Sequence, residues 1–307
     1  AAVLEEADAG RLTVDPPATA RKAAEKSIAA AAKQRQPDRA NAIEDCRTSD
    51  GTRIEVFANL ASTEEAVRAV AAGAEGCGLL RTEFLFLDRE TPPDEEEQRV
   101  AYQAVADALG DRPLIVRTLD VGGDKPVPYL KWPHEENPAL GLRGIRTSLW
   151  RTDLLDAQLR AILSVKPAGR CRIMLPMIVD LGELRAVRER AEAIAKALGN
   201  DAPVVIGVNV ETPAATILAD QLAEAADFFS VGSNDLTQYT LAMDRTNPLV
   251  AARVDGLHPA VLRLIDITAR AAEKHGKLMA VCGGLASDQM SAMLLVGLGV
   301  RELSATP

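Results

Sequence analysis

Two carboxylates and a set of guanidiniums occupy comparable places along this sequence, each at the close of a short, β-branched apolar run. Glu211 ends VVIGVNVE, and Asp235 follows Asn234 at the end of DFFSVGSND. If those two runs are neighbouring parallel strands they lie about 4.8 Å apart, so both carboxylates can reach one cation. Hard oxygen donors with no His or Cys beside them favour Mg²⁺, which commonly takes one or two carboxylates and completes its shell with water and substrate phosphate. A plainer reading is also open, in which Glu211 caps a helix at TPAA and Asp235 one at LTQ.

The cations follow the same pattern. Arg81 sits near the end of GCGLLRTEF with Glu83 beyond it, and LIVRTLD delivers Arg117 and Asp120. A Gly- and Pro-rich segment from Gly122 to Arg146 adds Lys125, Arg143 and Arg146, and Arg245 comes ten residues after Asp235. Gathered cations repel one another unless an anion sits among them, and the planar fork of Arg binds carboxylate and phosphate oxygens bidentately. A substrate carrying both groups is expected, with cations on one side of the site and carboxylates on the other. For any single Arg the competing reading is a surface ion pair. Cys282, between Val281 and Gly283, is drawn in by its place at a strand end, although a free Cys is more often a small hydrophobe. His134, His258 and His275 show no metal spacing, and neither GxxxxGK[ST] nor HExxH is present.

Strand ends become one site only in a fold that brings them together. Eight β-branched runs begin at Ile54, Gly76, Leu114, Cys171, Val204, Asp227, Leu278 and Glu302, and helical stretches lie between them. Their nearly continuous apolar content suits parallel strands covered on both faces. The expectation is an α/β chain folded as a (β/α)8 TIM barrel, whose chemistry gathers at the carboxyl ends of the strands. Ser62 with Glu65 three residues on forms a capping-box pattern, and Gly199 and Gly276 stop helices. Upstream, Leu12 to Asp15 read as a remnant strand stopped by Pro16 and Pro17, and Thr19 to Gln34 as an Ala-rich helix. The expected organisation is 1–17 as the tail of a preceding domain, 18–45 as a helical linker and 46–307 as the barrel, without its last helix.

Composition narrows the rest. The chain has 307 residues, 47% hydrophobic and 26% charged, enough to bury a large core. Thirty-five Lys and Arg against 44 Asp and Glu give −9, and aromatics are only 3%, so no nucleic-acid partner is expected. That net charge repels anionic metabolites unless cations are focused in a cleft. No apolar run reaches membrane-spanning length, the start is acidic, and the four Cys are scattered without CxxC. No membrane insertion, a cytoplasmic location and reduced thiols are expected.

Between Gly73 and Asp288 the segments GAEGCGLLRTEFLFLDR, RPLIVRTLDVGGDKPVPYL, EENPALGLRGIR, RIMLPMI, GVNVETPAA, FFSVGSNDLTQYTLAMDR and VCGGLASD resemble the PEP-utilising enzymes. Within that family they look most like enzyme I of the bacterial phosphoenolpyruvate:sugar phosphotransferase system. VDPPA resembles the end of the family's swivelling phosphohistidine domain, whose TSH-type motif is absent. The resemblance implies that Arg81, Arg117, Arg143 and Lys125 surround the phosphate and carboxylate of phosphoenolpyruvate (PEP), with Asn234 and Arg245 completing the pocket. Glu211 and Asp235 would hold Mg²⁺, and Cys282 would protonate the pyruvate enolate. It further implies phosphoryl transfer to a histidine on a separate swivelling domain, onward passage to HPr in sugar uptake, and a homodimer.

The alternatives are the barrel of a pyruvate phosphate dikinase or PEP synthase, and a non-catalytic PEP-binding dimerisation module. A fused multiphosphoryl transfer protein is also compatible. Two positions depart from the family: Gly284 stands where CGE is usual, and Asn209 where an apolar residue is frequent.

Overall fold

Pro16 and Pro17 end one element and start another. The computed structural model describes residues 3–6, 11–122 and 127–306, and divides the chain into units Ala1–Glu44 and Asp45–Pro307. In the first unit, β1 (Val3–Glu6) pairs antiparallel with β2 (Arg11–Val14), Val3 opposite Val14. The sequence pattern gives only the second of these strands. A lone strand leaves its backbone donors and acceptors without partners, and β1 supplies them. Helix α1 (Ala18–Asn41) starts after Pro17 and continues past Gln34.

In the second unit the eight expected runs are eight strands: β3 (Glu55–Leu60), β4 (Cys77–Leu80), β5 (Leu114–Arg117), β6 (Cys171–Leu175), β7 (Ile206–Val210), β8 (Phe228–Gly232), β9 (Leu278–Cys282) and β10 (Glu302–Ala305). Each pairs in parallel with the next, and β10 closes on β3 to complete the barrel. Every residue of β4, β5, β7 and β8 is buried, because helices cover the outside and side chains fill the inside.

The outer helices are α2 (Thr63–Ala71), α3 (Glu95–Leu109), α4 (Ile145–Trp150), α5 (Thr152–Leu163), α6 (Leu181–Ala197), α7 (Pro213–Ile217), α8 (Ala219–Leu222), α9 (Ser233–Leu241), α10 (Pro259–Lys274), α11 (Gly284–Ser287) and α12 (Gln289–Gly297). Ser62, Asp94 and Asp180 each accept an N–H from the third residue onward, fixing the starts of α2, α3 and α6. Gly199 and Gly276, just past α6 and α10, have φ of 63° and 61°, as helix stops require.

Inside the barrel, Leu79, Ile115, Met174, Phe228 and Cys282 form an apolar cluster. Gly207 makes room for it, since a Cβ there would meet the Phe228 ring at 2.3 Å. The segment after β5 leaves and returns through one close contact. Gly122 has φ +107°, and a Cβ on it would lie 2.1 Å from the Leu142 carbonyl oxygen. Val127 and Leu130 of this excursion pack with Phe86, Leu119, Val121 and Leu154, and the Arg146 guanidinium donates to the Leu140 and Gly141 carbonyls, both at 3.1 Å. Arg146 thus holds the segment in shape. Among the described residues no helix is long and apolar enough to cross a membrane, and all four cysteines are free.

The barrel also buries Glu302 on β10, neither of whose carboxyl oxygens has a hydrogen-bond partner among the described residues. Burial, reinforced by Glu55 and opposed by Arg172, pushes this carboxyl from 4.5 up to about 8. The folded chain holds the proton across that window and the unfolded chain does not, so this group's stabilising contribution is complete below about pH 4.5 and is lost as pH rises to about 8. Glu302→Gln is expected to flatten that dependence: in urea unfolding its gain over the parent is larger at about pH 8 than at about pH 5. Equal gains at both would contradict it.

Candidate active site

The rim at the carboxyl ends of the strands encloses a cavity of about 390 Å³. Arg81, Arg117, Glu211, Asn234, Asp235 and Arg245 line it, and so does Cys282. Arg143 approaches from the excursion after β5, whereas Lys125 lies outside the described residues.

Each side chain has a local reason for its position. Arg81 extends the β4 ladder by donating its N–H to the Leu60 carbonyl at 2.8 Å, and its exposed side chain carries no partner among the described residues. The turn Glu83–Leu85 then folds Glu83 back into the interior, 5% exposed. Glu211, one residue beyond β7, needs Gly232 beside it: a Cβ there would meet its Cγ at 2.5 Å. Met177, a non-glycine residue at φ 60°, turns its N–H onto Glu211 Oε2 at 2.8 Å. Such backbone is costly and collects at functional sites. Asn234 and Asp235 lie in the first turn of α9, and Asn234 Oδ1 accepts the Gly284 N–H at 3.1 Å.

Neither metal-candidate carboxylate is a helix cap. Thr212 caps α7, accepting from the Ala215 N–H, and Asp235 sits inside α9 after its N-cap Gly232.

Charges alternate here, where the sequence suggested separate cationic and anionic sides. Arg117 reaches Glu83 at 2.5 Å, Asp120 at 3.2 Å and Glu211 at 3.5 Å. Arg143 links Asp120 at 3.3 Å to Asp235 at 2.8 Å, and Arg245 meets Asp235 at 3.4 Å. A buried charge survives only beside its opposite, so a segregated arrangement would leave several side chains desolvated and unpaired. Tyr239 accepts from the Arg143 guanidinium at 3.0 Å and donates to the Ala139 carbonyl. Burial alone would weaken the hold of Arg117 and Arg143 on their protons, but the surrounding carboxylates outweigh it and strengthen that hold.

Burial, with Asp235 and Asp120 adding to it, pushes Glu211 up to about 8 against the opposing guanidiniums. The Asp235 Oδ1 atom is buried against two guanidiniums, Arg143 at 2.8 Å and Arg245 at 3.4 Å. A hard cation beside Glu211 would answer its raised proton affinity. Among the described residues no cluster of three or more His, Cys, Asp or Glu forms a ready metal cage. Two protein carboxylates with the remaining ligands from water and substrate is a magnesium-like pattern. Cys282 is 2% exposed and its thiol is pushed up to about 11, chiefly by burial, so at neutral pH it carries its proton.

The pairing roles of Glu83, Asp120, Asn209 and Tyr239 were not assigned from sequence. For Glu83 and Asp120 a signal exists: each is an acid within three residues of a strand-end arginine. For Tyr239 there is none, since its partners come from residues about a hundred positions away.

Residues 35–307 match the sequence profile described as the PEP-binding domain of PEP-utilising enzymes. The chain belongs to that family. It is 51% identical over 304 residues to a multiphosphoryl transfer protein of Rhodobacter capsulatus, covering 99% of this chain and 37% of that protein. It is 46% identical over 311 residues to a phosphoenolpyruvate-protein phosphotransferase of Haloferax volcanii, covering 98% and 53% respectively. The chain thus spans between about a third and about half of the curated relatives it matches. A citrate lyase structure from Burkholderia xenovorans superposes with a TM-score of 0.54 at 20% identity, covering 82% of this chain and 73% of that one, a likeness of fold alone.

The ionic network predicts two contrasting stabilities. Arg143→Ala leaves Asp120 and Asp235 without their shared cation and is expected to cost about 3–5 kcal/mol in urea unfolding. Arg81→Ala, at an exposed side chain with no partner among the described residues, is expected to stay within about 0.5 kcal/mol of the parent. The same loss in both would mean that the network does not carry the charge balance.

Proposed function

We propose that this chain is the PEP-binding part of a phosphoenolpyruvate-protein phosphotransferase. It binds PEP with Mg²⁺ at the barrel rim, and the phosphoryl group passes to a histidine on a separate swivelling domain, releasing pyruvate. The observation that carries this reading is the meeting of three arginines and two metal-candidate carboxylates, Arg81, Arg117, Arg245, Glu211 and Asp235, around one cavity whose wall includes a protonated thiol, with Arg143 paired to Asp235 beside it.

Phosphoryl transfer passes through a loose transition state, so the protein contributes mainly positioning and charge. Arg81, exposed and without a partner among the described residues, is available to the phosphate, while Arg117, Arg143 and Arg245 steer the phosphate and carboxylate oxygens, with Asn234 as a neutral contact. Lys125 joins this set through the family motif. Glu211 and Asp235 would hold Mg²⁺, which supplies positive charge opposite the phosphate and enolate oxygens. When the phosphoryl group has left, the Cys282 S–H bond breaks as a C–H bond forms at the enolate methylene carbon. Pyruvate results, and the thiolate regains its proton from solvent.

The names of the relatives, a multiphosphoryl transfer protein and a phosphoenolpyruvate-protein phosphotransferase, support transfer to a protein acceptor; passage of the histidine phosphate on to HPr for sugar uptake follows from the family resemblance. On this reading 1–17 end the swivelling domain, 18–45 link it, and 46–307 form the barrel. A cytoplasmic homodimer completes the proposal, with no nucleic-acid partner and no membrane insertion.

The test mixes this chain with a separately made phosphohistidine domain, PEP and Mg²⁺, and measures phosphohistidine. Arg81→Ala and Arg117→Ala are each expected to slow its formation by about 10²-fold or more, the range seen when a transition-state donor is removed. Near-normal transfer by Arg81→Ala, in a folded chain, would refute the reading.

A further inference from the structure

Asn209 is 1% exposed on β7, a polar side chain inside a barrel whose nearby filling includes Met174 and Phe228. Its carboxamide spends both ends on the site. Nδ2 donates to Glu211 Oε1 at 2.6 Å, and Oδ1 accepts from the Cys282 thiol at 3.5 Å. The amide thus turns its N–H₂ to a Glu211 oxygen and its own oxygen to the sulfur-bound hydrogen, while the other Glu211 oxygen is taken by the Met177 N–H.

The contact with Cys282 spans strands that do not pair. β8 runs between β7 and β9, and strands two places apart are about 9–10 Å apart. The side chains meet because β8 is small at this level. Ser230 stands opposite Asn209, and Gly232 stands opposite Cys282.

We propose that Asn209 is a positioning residue, clamping the Cys282 thiol to Glu211 so that the sulfur stays on the cavity wall and keeps its hydrogen until an enolate is formed. This inference rests on the function proposed above, because it deepens the proton step assigned to Cys282. An acceptor on the S–H stabilises the thiol over the thiolate, the form a proton donor needs. Tethering Asn209 to Glu211 also fixes the thiol relative to the carboxylate that faces the substrate, which holds the donor in reach of the methylene carbon. Asn209 acts through Cys282 and itself transfers nothing.

Asn209→Leu keeps the branched outline and removes both hydrogen bonds, while Asn209→Asp keeps the shape but sets a second acid beside Glu211 and the sulfur. Alkylation of Cys282 by iodoacetamide, read by peptide mass spectrometry at one fixed pH without added ligand, is expected to be several-fold faster in Asn209→Leu. It is expected to be several-fold slower in Asn209→Asp, where the added carboxylate disfavours the thiolate. Loosened packing alone would speed both, so a shift in the same direction, or none, overturns the clamp.

A second measurement follows exchange of the pyruvate methyl hydrogens in D₂O with Mg²⁺. The parent is expected to catalyse exchange and Asn209→Leu to lose tenfold or more, with Cys282→Ala setting the floor. Equal exchange by the parent and Asn209→Leu overturns the role in proton transfer. If the parent exchanges nothing while the alkylation rates still move in opposite directions, the functional reading fails and the clamp stands.

Discussion

Everything at the rim depends on a buried alternation of charge: Glu83, Arg117, Asp120, Arg143, Asp235 and Arg245 in sequence, with Glu211 branching from Arg117. Such networks add little net stability, because desolvating each ion offsets most of the attraction. What they impose is position. Each guanidinium has a fixed fork and each carboxylate a fixed neighbour, so the strand ends and the excursion after β5 must assemble in one register for any of the charges to be tolerated. The apolar barrel supplies the free energy for this, through side chains such as Leu80, Val116, Val208 and Val231 that are fully buried between strands and helices.

On the proposed function the same alternation would couple ligands of opposite sign. Arg117 and Arg143 are occupied by acids, so a phosphate or carboxylate would compete with Glu211, Asp120 and Asp235 for them. A divalent cation held by Glu211 and Asp235 would relieve that competition, and the coupling would be reciprocal. The raised proton affinity of Glu211 expresses a shortage of positive charge, met by a proton when no cation is bound. Arg81 differs from its neighbours as an exposed charge without a partner among the described residues, which on the proposed function would leave it free for an arriving anion.

The sequence carried the barrel because a parallel strand buried on both faces is a near-continuous apolar run, and eight such runs separated by capped helices admit few other folds. β1 was not legible: its four residues mean little without β2 opposite them. At the site, strand-end residues could be grouped because the fold gathers strand ends. The pairing inside the group could not, since Arg117 lies 34 residues from Glu83 and 94 from Glu211, distances that only closure of the barrel collapses. The expected separation of charges failed for a physical reason: sequence position sorts residues by strand, whereas the low dielectric of the interior sorts them by sign.

Asn209 shows where the two kinds of information meet. As a residue in a buried strand it conflicts with the apolar pattern around it, and such local conflict tends to mark function. The conflict alone does not say what the amide touches. That follows from the barrel order, which sets β8 between β7 and β9, and from the small residues Ser230 and Gly232 on it. The missing Cβ of Gly232 makes room for the Glu211 side chain. A carboxylate, a carboxamide and a thiol from the ends of β7 and β9 thus meet across a strand whose residues at this level, Ser230 and Gly232, are small.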